Sequence, residues 1–233
     1  MEKISPKEMK ENETFGALNL IRESLAVWEE IYPKEGVMMT EQAELDFTLK
    51  VLKSPYLERK IKAMNEFKEF IDRADPNPDP KKLGDKRPFR YITQEKLRNW
   101  IVKEKLIEYI LGDETHVELL KRSAILLSFL SQTNGLTNEH LTLLWKSAEG
   151  KYEDYVRAVY DTIVDLSGTL SVEALEFVFS KIAQIPPEEY NEMTITLVRE
   201  FSLKAMNTLS NAQSNSCTNK SILSQIFNVV VIQ

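Results

Sequence analysis

Thr137-Asn138-Glu139-His140-Leu141-Thr142-Leu143-Leu144-Trp145-Lys146-Ser147-Ala148 is the stretch whose reading decides the fold. Thr137 offers the hydroxyl that a helix N-cap uses to accept an orphan backbone N–H. Glu139 follows in the first turn, where a carboxylate meets the positive end of the helix dipole. Leu141, Leu144, Trp145 and Ala148 then fall at i, i+3, i+4 and i+7, one stripe of a helix. That spacing predicts a helix with Trp145 in the core. The same shape occurs twice more. Thr93-Gln94-Glu95-Lys96-Leu97 leads to Trp100, and Ser171-Val172-Glu173-Ala174-Leu175 leads to Val178, Phe179 and Ile182.

Each of these helices is expected to have a partner. The first partner runs over about 115–131, with Leu120, Ala124, Leu127 and Leu130 on its stripe. The second runs over about 151–167, with Val156, Val159, Tyr160 and Ile163; Tyr152 and Tyr155 are placed near the same stripe. The third follows Pro186-Pro187 and carries Tyr190, Met193, Leu197, Val198 and Phe201. The hydroxyl caps recur 44 and then 34 residues apart. Helix pairs at such intervals are the signature of armadillo/HEAT arrays. The expected fold is all-α, an armadillo/HEAT-like α-solenoid of stacked helix pairs, with the repeats over 92–206. An irregular helical bundle shares the periodicity and stays open at this point.

Outward from the repeats, residues 15–74 read as N-terminal helices and 1–14 as a flexible N-terminus. Leu18, Ile21, Leu25 and Trp28 form one stripe that Tyr32-Pro33 and Gly36 are expected to stop. Thr40 is expected to cap a helix carrying Leu45, Leu49 and Leu52, ended before Pro55. A third helix puts Leu57, Ile61, Met64, Phe67 and Ile71 on one face. Asp75-Pro76-Asn77-Pro78-Asp79-Pro80-Lys81-Lys82 suits no helix or central strand, so 75–91 reads as an exposed Pro/Lys-rich loop, an insertion or a partner-binding loop. Residues 207–233 read as a polar tail with an apolar end. The β-branched run Ile226–Ile232 either packs on the last repeat or belongs to a longer chain.

Composition narrows the function. Of 233 residues, 42% are hydrophobic, enough for a core, and a single Cys excludes a disulfide framework or a multi-Cys zinc site. A net charge of −6 argues against a phosphate-binding surface for nucleic acid or anionic membrane. The start lacks the apolar stretch of a signal peptide and no run is long enough to span a bilayer. A cytoplasmic or nuclear protein is the expectation.

Catalytic chemistry finds little support. A cysteine nucleophile needs a lowered pKa and an oriented base. Cys217 lies in Ser214-Asn215-Ser216-Cys217-Thr218-Asn219, with only His116 and His140 available, and both His read as capping or solvent-facing residues. Glu104, Glu108 and Glu118 read as helix-surface carboxylates. No phosphate loop, dinucleotide-binding glycine motif, nucleophile elbow or zinc-protease motif is present, and no cofactor or metal is expected. Lys81, Lys82, Lys86, Arg87 and Arg90, beside Phe89 and Tyr91, form the one basic cluster. It suits single-stranded RNA in principle and a solvated loop better.

The three capped stretches, with Leu141-x-x-x-Trp145-x-x-x-x-Gly150-Lys151 as the most specific element, resemble the helical-repeat region of the very large ubiquitin-specific proteases of the fat-facets type. Leu57-Glu58-Arg59-Lys60-Ile61-Lys62-Ala63-Met64-Asn65 resembles an upstream segment of that region. The resemblance covers about 15–205 and fades after Met206. It implies an armadillo-like array N-terminal to a catalytic domain. The family's nucleophile box is of the Gly-Asn-Thr-Cys-Tyr type, and Cys217 lacks its flanks. The resemblance thus implies a non-catalytic scaffold of a deubiquitinase, with protein partners such as ubiquitin-pathway substrates or regulators. An unrelated armadillo/HEAT adaptor and a cysteine hydrolase using Cys217 are the alternatives, and the sequence following Gln233 would separate them. Polar positions of the second helices are expected to face partners, and Arg122, Arg157 and Glu189 are the candidates.

Overall fold

In the computed structural model, the described residues are 33–84, 86–112 and 115–212, together with Leu20, Val27, Trp28, Glu30 and Ile31. All the regular elements among them are helices, and they fall into two compact units, one up to Glu104 and one from Lys105. The expected positions of Leu18, Ile21 and Leu25, the flexible N-terminus, Cys217 and the apolar end lie outside the described residues.

The first unit contains α1 (Pro33–Leu52), α2 (Leu57–Ala74), the short α3 (Pro80–Leu83) and α4 (Gln94–Lys103). α1 packs on α2, and α2 on α3 and α4. Phe47, Leu52, Phe67 and Phe70 form the core, and Phe67 meets Trp100 of α4 with ring centroids 6.0 Å apart. Two expectations are corrected. Gly36 does not stop a helix and Thr40 does not cap one, because both lie inside α1. The Thr40 hydroxyl donates to the Gly36 carbonyl one turn back at 2.9 Å, the alternative to capping that Ser and Thr use within helices.

The 75–91 segment is also corrected. It contains α3, capped by the Asp79 side chain accepting from the Lys81 N–H, and its second half is clamped rather than loose. The buried Glu41 carboxylate accepts the backbone N–H groups of Arg90, Tyr91 and Ile92 at 2.7, 2.9 and 2.9 Å. Arg73, ion-paired with buried Glu44, donates to the Arg87 carbonyl at 2.8 Å and lies 3.9 Å over the Phe89 ring. Lys86 is ion-paired with Glu66 and Glu69. Lys81 and Lys82 remain exposed. A proline-rich composition signals the absence of regular structure, but it is silent about anchors supplied from distant helices.

The second unit contains α5 (Leu106–Ile110), α6 (Val117–Gln132), α7 (Asn138–Lys146), α8 (Glu153–Leu166), α9 (Val172–Ile182), a 3-10 turn (Pro187–Glu189) and α10 (Glu192–Ala212). α6 packs on α8 and α8 on α10, while α5, α7 and α9 form a second row, each packed on the next. This is a stack of helix pairs. The hydroxyl caps are as expected: Thr93, Thr137 and Ser171 accept from the backbone N–H of Lys96, His140 and Ala174. Leu175, Val178, Phe179 and Ile182 are buried together. Gly150 has φ +68, where a side chain would be strained, which explains the glycine in the Leu141–Lys151 element. Tyr155 is buried, whereas Tyr152 precedes α8 and is exposed, not on the core stripe. The polar tail begins later than expected. α10 continues to Ala212, and the Thr208 hydroxyl donates to the carbonyls of Lys204 and Ser167 at 3.0 and 3.3 Å.

Candidate protein-interaction site

Trp145 departs from its expected place in the core. Its counterparts Trp100 and Phe179 sit three residues before their helices end and are buried. α7 stops one residue after Trp145, so no further turn covers the indole, which is only half-buried. It stacks on Tyr160 of α8, with ring centroids 6.1 Å apart and 30° between planes. The pair forms one wall of a cleft of about 700 Å³, bounded also by Val156, Ile185 and Pro186.

Charge surrounds this aromatic wall. Lys146 and Lys181 occupy the last turns of α7 and α9, where a cation meets the negative end of the dipole. Glu149 and Glu189 line the same cleft. Lys146, Lys181, Glu149 and Glu189 form no ion pair among the described residues; Lys181 lies 5.5 Å over the Phe177 ring. The Trp145 indole N–H meets no acceptor among them. Burial pushes the Tyr160 hydroxyl above its usual range, a hydrogen bond with Thr194 opposes the shift, and Glu189 adds to it. Tyr160 is therefore neutral at physiological pH and retains its proton for donation.

The three residues expected at a partner surface are not brought together. Glu189 lines the cleft. Arg122 lies on α6 and donates to the Glu118 carboxylate and, at 3.0 Å, to the Glu118 carbonyl. That hydrogen bond, with the neighbouring cations, holds the Glu118 carboxyl below its usual range. Arg157 is exposed on α8 and ion-paired with Glu153 at 2.9 Å, outside the cleft. Tyr160, Lys146, Glu149 and Lys181, which line the cleft, are not among the partner-surface residues expected from the sequence. The lysines directly follow or flank the stripe positions, but which side of a helix end opens into a cleft depends on packing across pairs.

The histidines cap helices. His116 is the N-cap of α6, its Nδ1 accepting the Glu118 N–H at 3.2 Å. His140 is buried, and its Nδ1 accepts the Thr137 N–H at 3.2 Å, closing a reciprocal capping box. Burial lowers its pKa, against the opposing pull of Glu108 and Glu139. Glu104 ends α4, and Glu108 is exposed on α5. Among the described residues, no group of three or more His, Cys, Asp or Glu side chains is placed to hold a metal ion, and no helix is long and apolar enough to cross a membrane. The first unit has its own groove of about 580 Å³, with Met38, Met39, Tyr91 and Trp100 among its walls. Lys96 there lies 3.3 Å over the Tyr91 ring.

Capped first helices and a row of stacked second helices define an armadillo-type repeat. The family model of the UBP24/USP9X/USP9Y ARM repeat matches residues 38–230, and the chain belongs to this family. The match begins later than the resemblance over 15–205 and extends beyond Met206, into the polar tract and apolar end. Among curated relatives, ubiquitin carboxyl-terminal hydrolase puf of Drosophila melanogaster is 24% identical over 101 residues, 43% of this chain. Ubiquitin carboxyl-terminal hydrolase 34 is 20% identical over 196 residues, 84% of this chain, in both Homo sapiens and Mus musculus. The chain spans 2% of the length of puf and 5% of hydrolase 34. The similarity thus concerns an armadillo-like region of large ubiquitin-specific proteases.

Proposed function

We propose that this chain is a non-catalytic scaffold of the ubiquitin-specific protease system, presenting a protein-interaction surface in its second unit. The observation that carries this reading is the cleft beside Trp145 and Tyr160, whose four charged side chains form no ion pair among the described residues. Large aromatic side chains beside charges free of ion pairs are what protein interfaces use as anchors and as specificity elements. The family membership supports ubiquitin-pathway substrates or regulators as the partners. Hydrolysis would need a fixed base beside a thiolate, and His116 and His140 are both committed to helix caps.

The test is affinity capture with quantitative mass spectrometry. The Glu149→Lys/Glu189→Lys variant should keep the circular dichroism and melting temperature of the wild type and lose partners. The Arg122→Glu/Arg157→Glu variant tests the alternative surface along the second helices. An unchanged partner profile in the first variant, with loss in the second, would move the interface to that surface. Retention in both would remove the second unit as the interface.

A further inference from the structure

The chemistry of the cleft narrows the kind of segment it receives, given the interaction reading above, on which this inference rests. A segment already folded as a helix satisfies its own backbone and presents mainly apolar side chains to a groove. The groove beside Trp145 has a different character. The Trp145 and Tyr160 rings stack on each other, and the outer edges of that pair line the groove together with Pro186 and Ile185. Trp145, Gln184 and Asn191 line the same space, and the Trp145 indole N–H has no acceptor among the described residues. Asn191 uses its carbonyl oxygen to cap α10, which leaves its NH2 as a donor.

Aromatic walls with side-chain donors suit a polyproline II segment. Such a segment has no internal hydrogen bonds, so its carbonyls are available to donors, and its proline rings pack on aromatic faces. It also loses little conformational entropy on binding. The charges select further. Lys146 and Lys181 fit an acidic side chain, and Glu149 and Glu189 fit a basic one. We infer that this cleft binds a proline-rich segment of a partner protein in the polyproline II conformation, bracketed by one acidic and one basic residue.

The experiment is fluorescence anisotropy with the full chain and the fluorescein-labelled peptide Asp-Pro-Pro-Leu-Pro-Pro-Lys. Binding is expected with Kd on the order of 100 µM, the range of a small single groove. The glycine analogue Asp-Gly-Gly-Leu-Gly-Gly-Lys, and peptides with Asp at both ends or Lys at both ends, should each bind about tenfold more weakly, a difference of about 1.4 kcal/mol. Trp145→Ala should abolish binding. If that variant does not fold, Lys146→Glu/Lys181→Glu, which removes no core side chain, should weaken binding of the Asp/Lys peptide about tenfold while the peptide with Lys at both ends gains. No binding at about 1 mM, equal binding of the glycine analogue, or preference for a helix-forming Leu/Glu/Lys peptide would overturn the inference. If the peptides fail while Glu149→Lys/Glu189→Lys still loses captured proteins, the polyproline assignment falls and the interaction reading stands. If neither that variant nor Arg122→Glu/Arg157→Glu loses protein, both fall.

Discussion

Replacing Glu41 with alanine is expected to release residues 90–92 from the first unit. The side chain is buried, and its carboxylate accepts three backbone N–H groups from a stretch about fifty residues away in sequence. A hydrogen bond to a charged group contributes about 1.5–3 kcal/mol net, and stranding its buried partner adds a desolvation penalty. Arg90 is exposed and its N–H can turn to water, whereas Ile92 is buried and its N–H cannot. The three bonds are also not additive, because one side chain makes them all. The loss should therefore be about 3–5 kcal/mol. Glu41→Gln keeps one acceptor oxygen, which can hold Tyr91 and Ile92, but turns an NH2 toward Arg90. It should lose about half as much. Two compact units need not unfold together, so a single global midpoint is a poor readout. Native-state hydrogen exchange reads the site directly. The amides of Arg90, Tyr91 and Ile92 should lose protection in Glu41→Ala, while those of α8 stay as they were. Unchanged protection at these three amides would refute the clamp.

The remaining expectations concern the second unit and Trp100. Thr137→Ala should lower stability by about 1 kcal/mol by removing a cap, measured by urea unfolding. Burial lowers the His140 pKa below its ordinary 6.5, so the folded state binds fewer protons than the unfolded one. Stability from this group is complete above 6.5 and falls as pH drops from there through the folded value. His140→Gln should flatten that part of the pH profile. Trp100→Ala should cost about 3–5 kcal/mol as a core deletion, and Trp145→Ala about 1–2 kcal/mol because its ring is half-exposed. Equal losses in thermal unfolding would place Trp145 in the core after all.

The repeats were legible because their signals are local. A hydroxyl cap, an acidic first turn and an apolar stripe lie within a dozen residues, and Thr93, Thr137 and Ser171 all cap as that pattern predicts. The segment clamped by Glu41 was not legible, because its anchor comes from a distant helix. Thr40 departs from its expected role for a related reason: a hydroxyl ahead of a leucine stripe reads as a cap, but Thr40 is already inside α1 and bonds back to Gly36. For Trp145, the stripe gave the right face and the wrong depth. How far a ring is covered depends on how many turns remain, and α7 ends one residue later. Of the residues expected at the partner surface, Glu189 lines the cleft, while Arg122 and Arg157 are held by carboxylates one turn back on their own helices, Glu118 and Glu153.

The central claim is that this armadillo-type chain works by binding rather than by hydrolysis. The most direct measurement incubates the purified full chain with a fluorogenic ubiquitin substrate and, separately, with an electrophilic ubiquitin probe that captures thiol nucleophiles. The account predicts no turnover and no covalent adduct. Turnover or labelling that disappears in Cys217→Ser would contradict it and would make the chain a cysteine hydrolase.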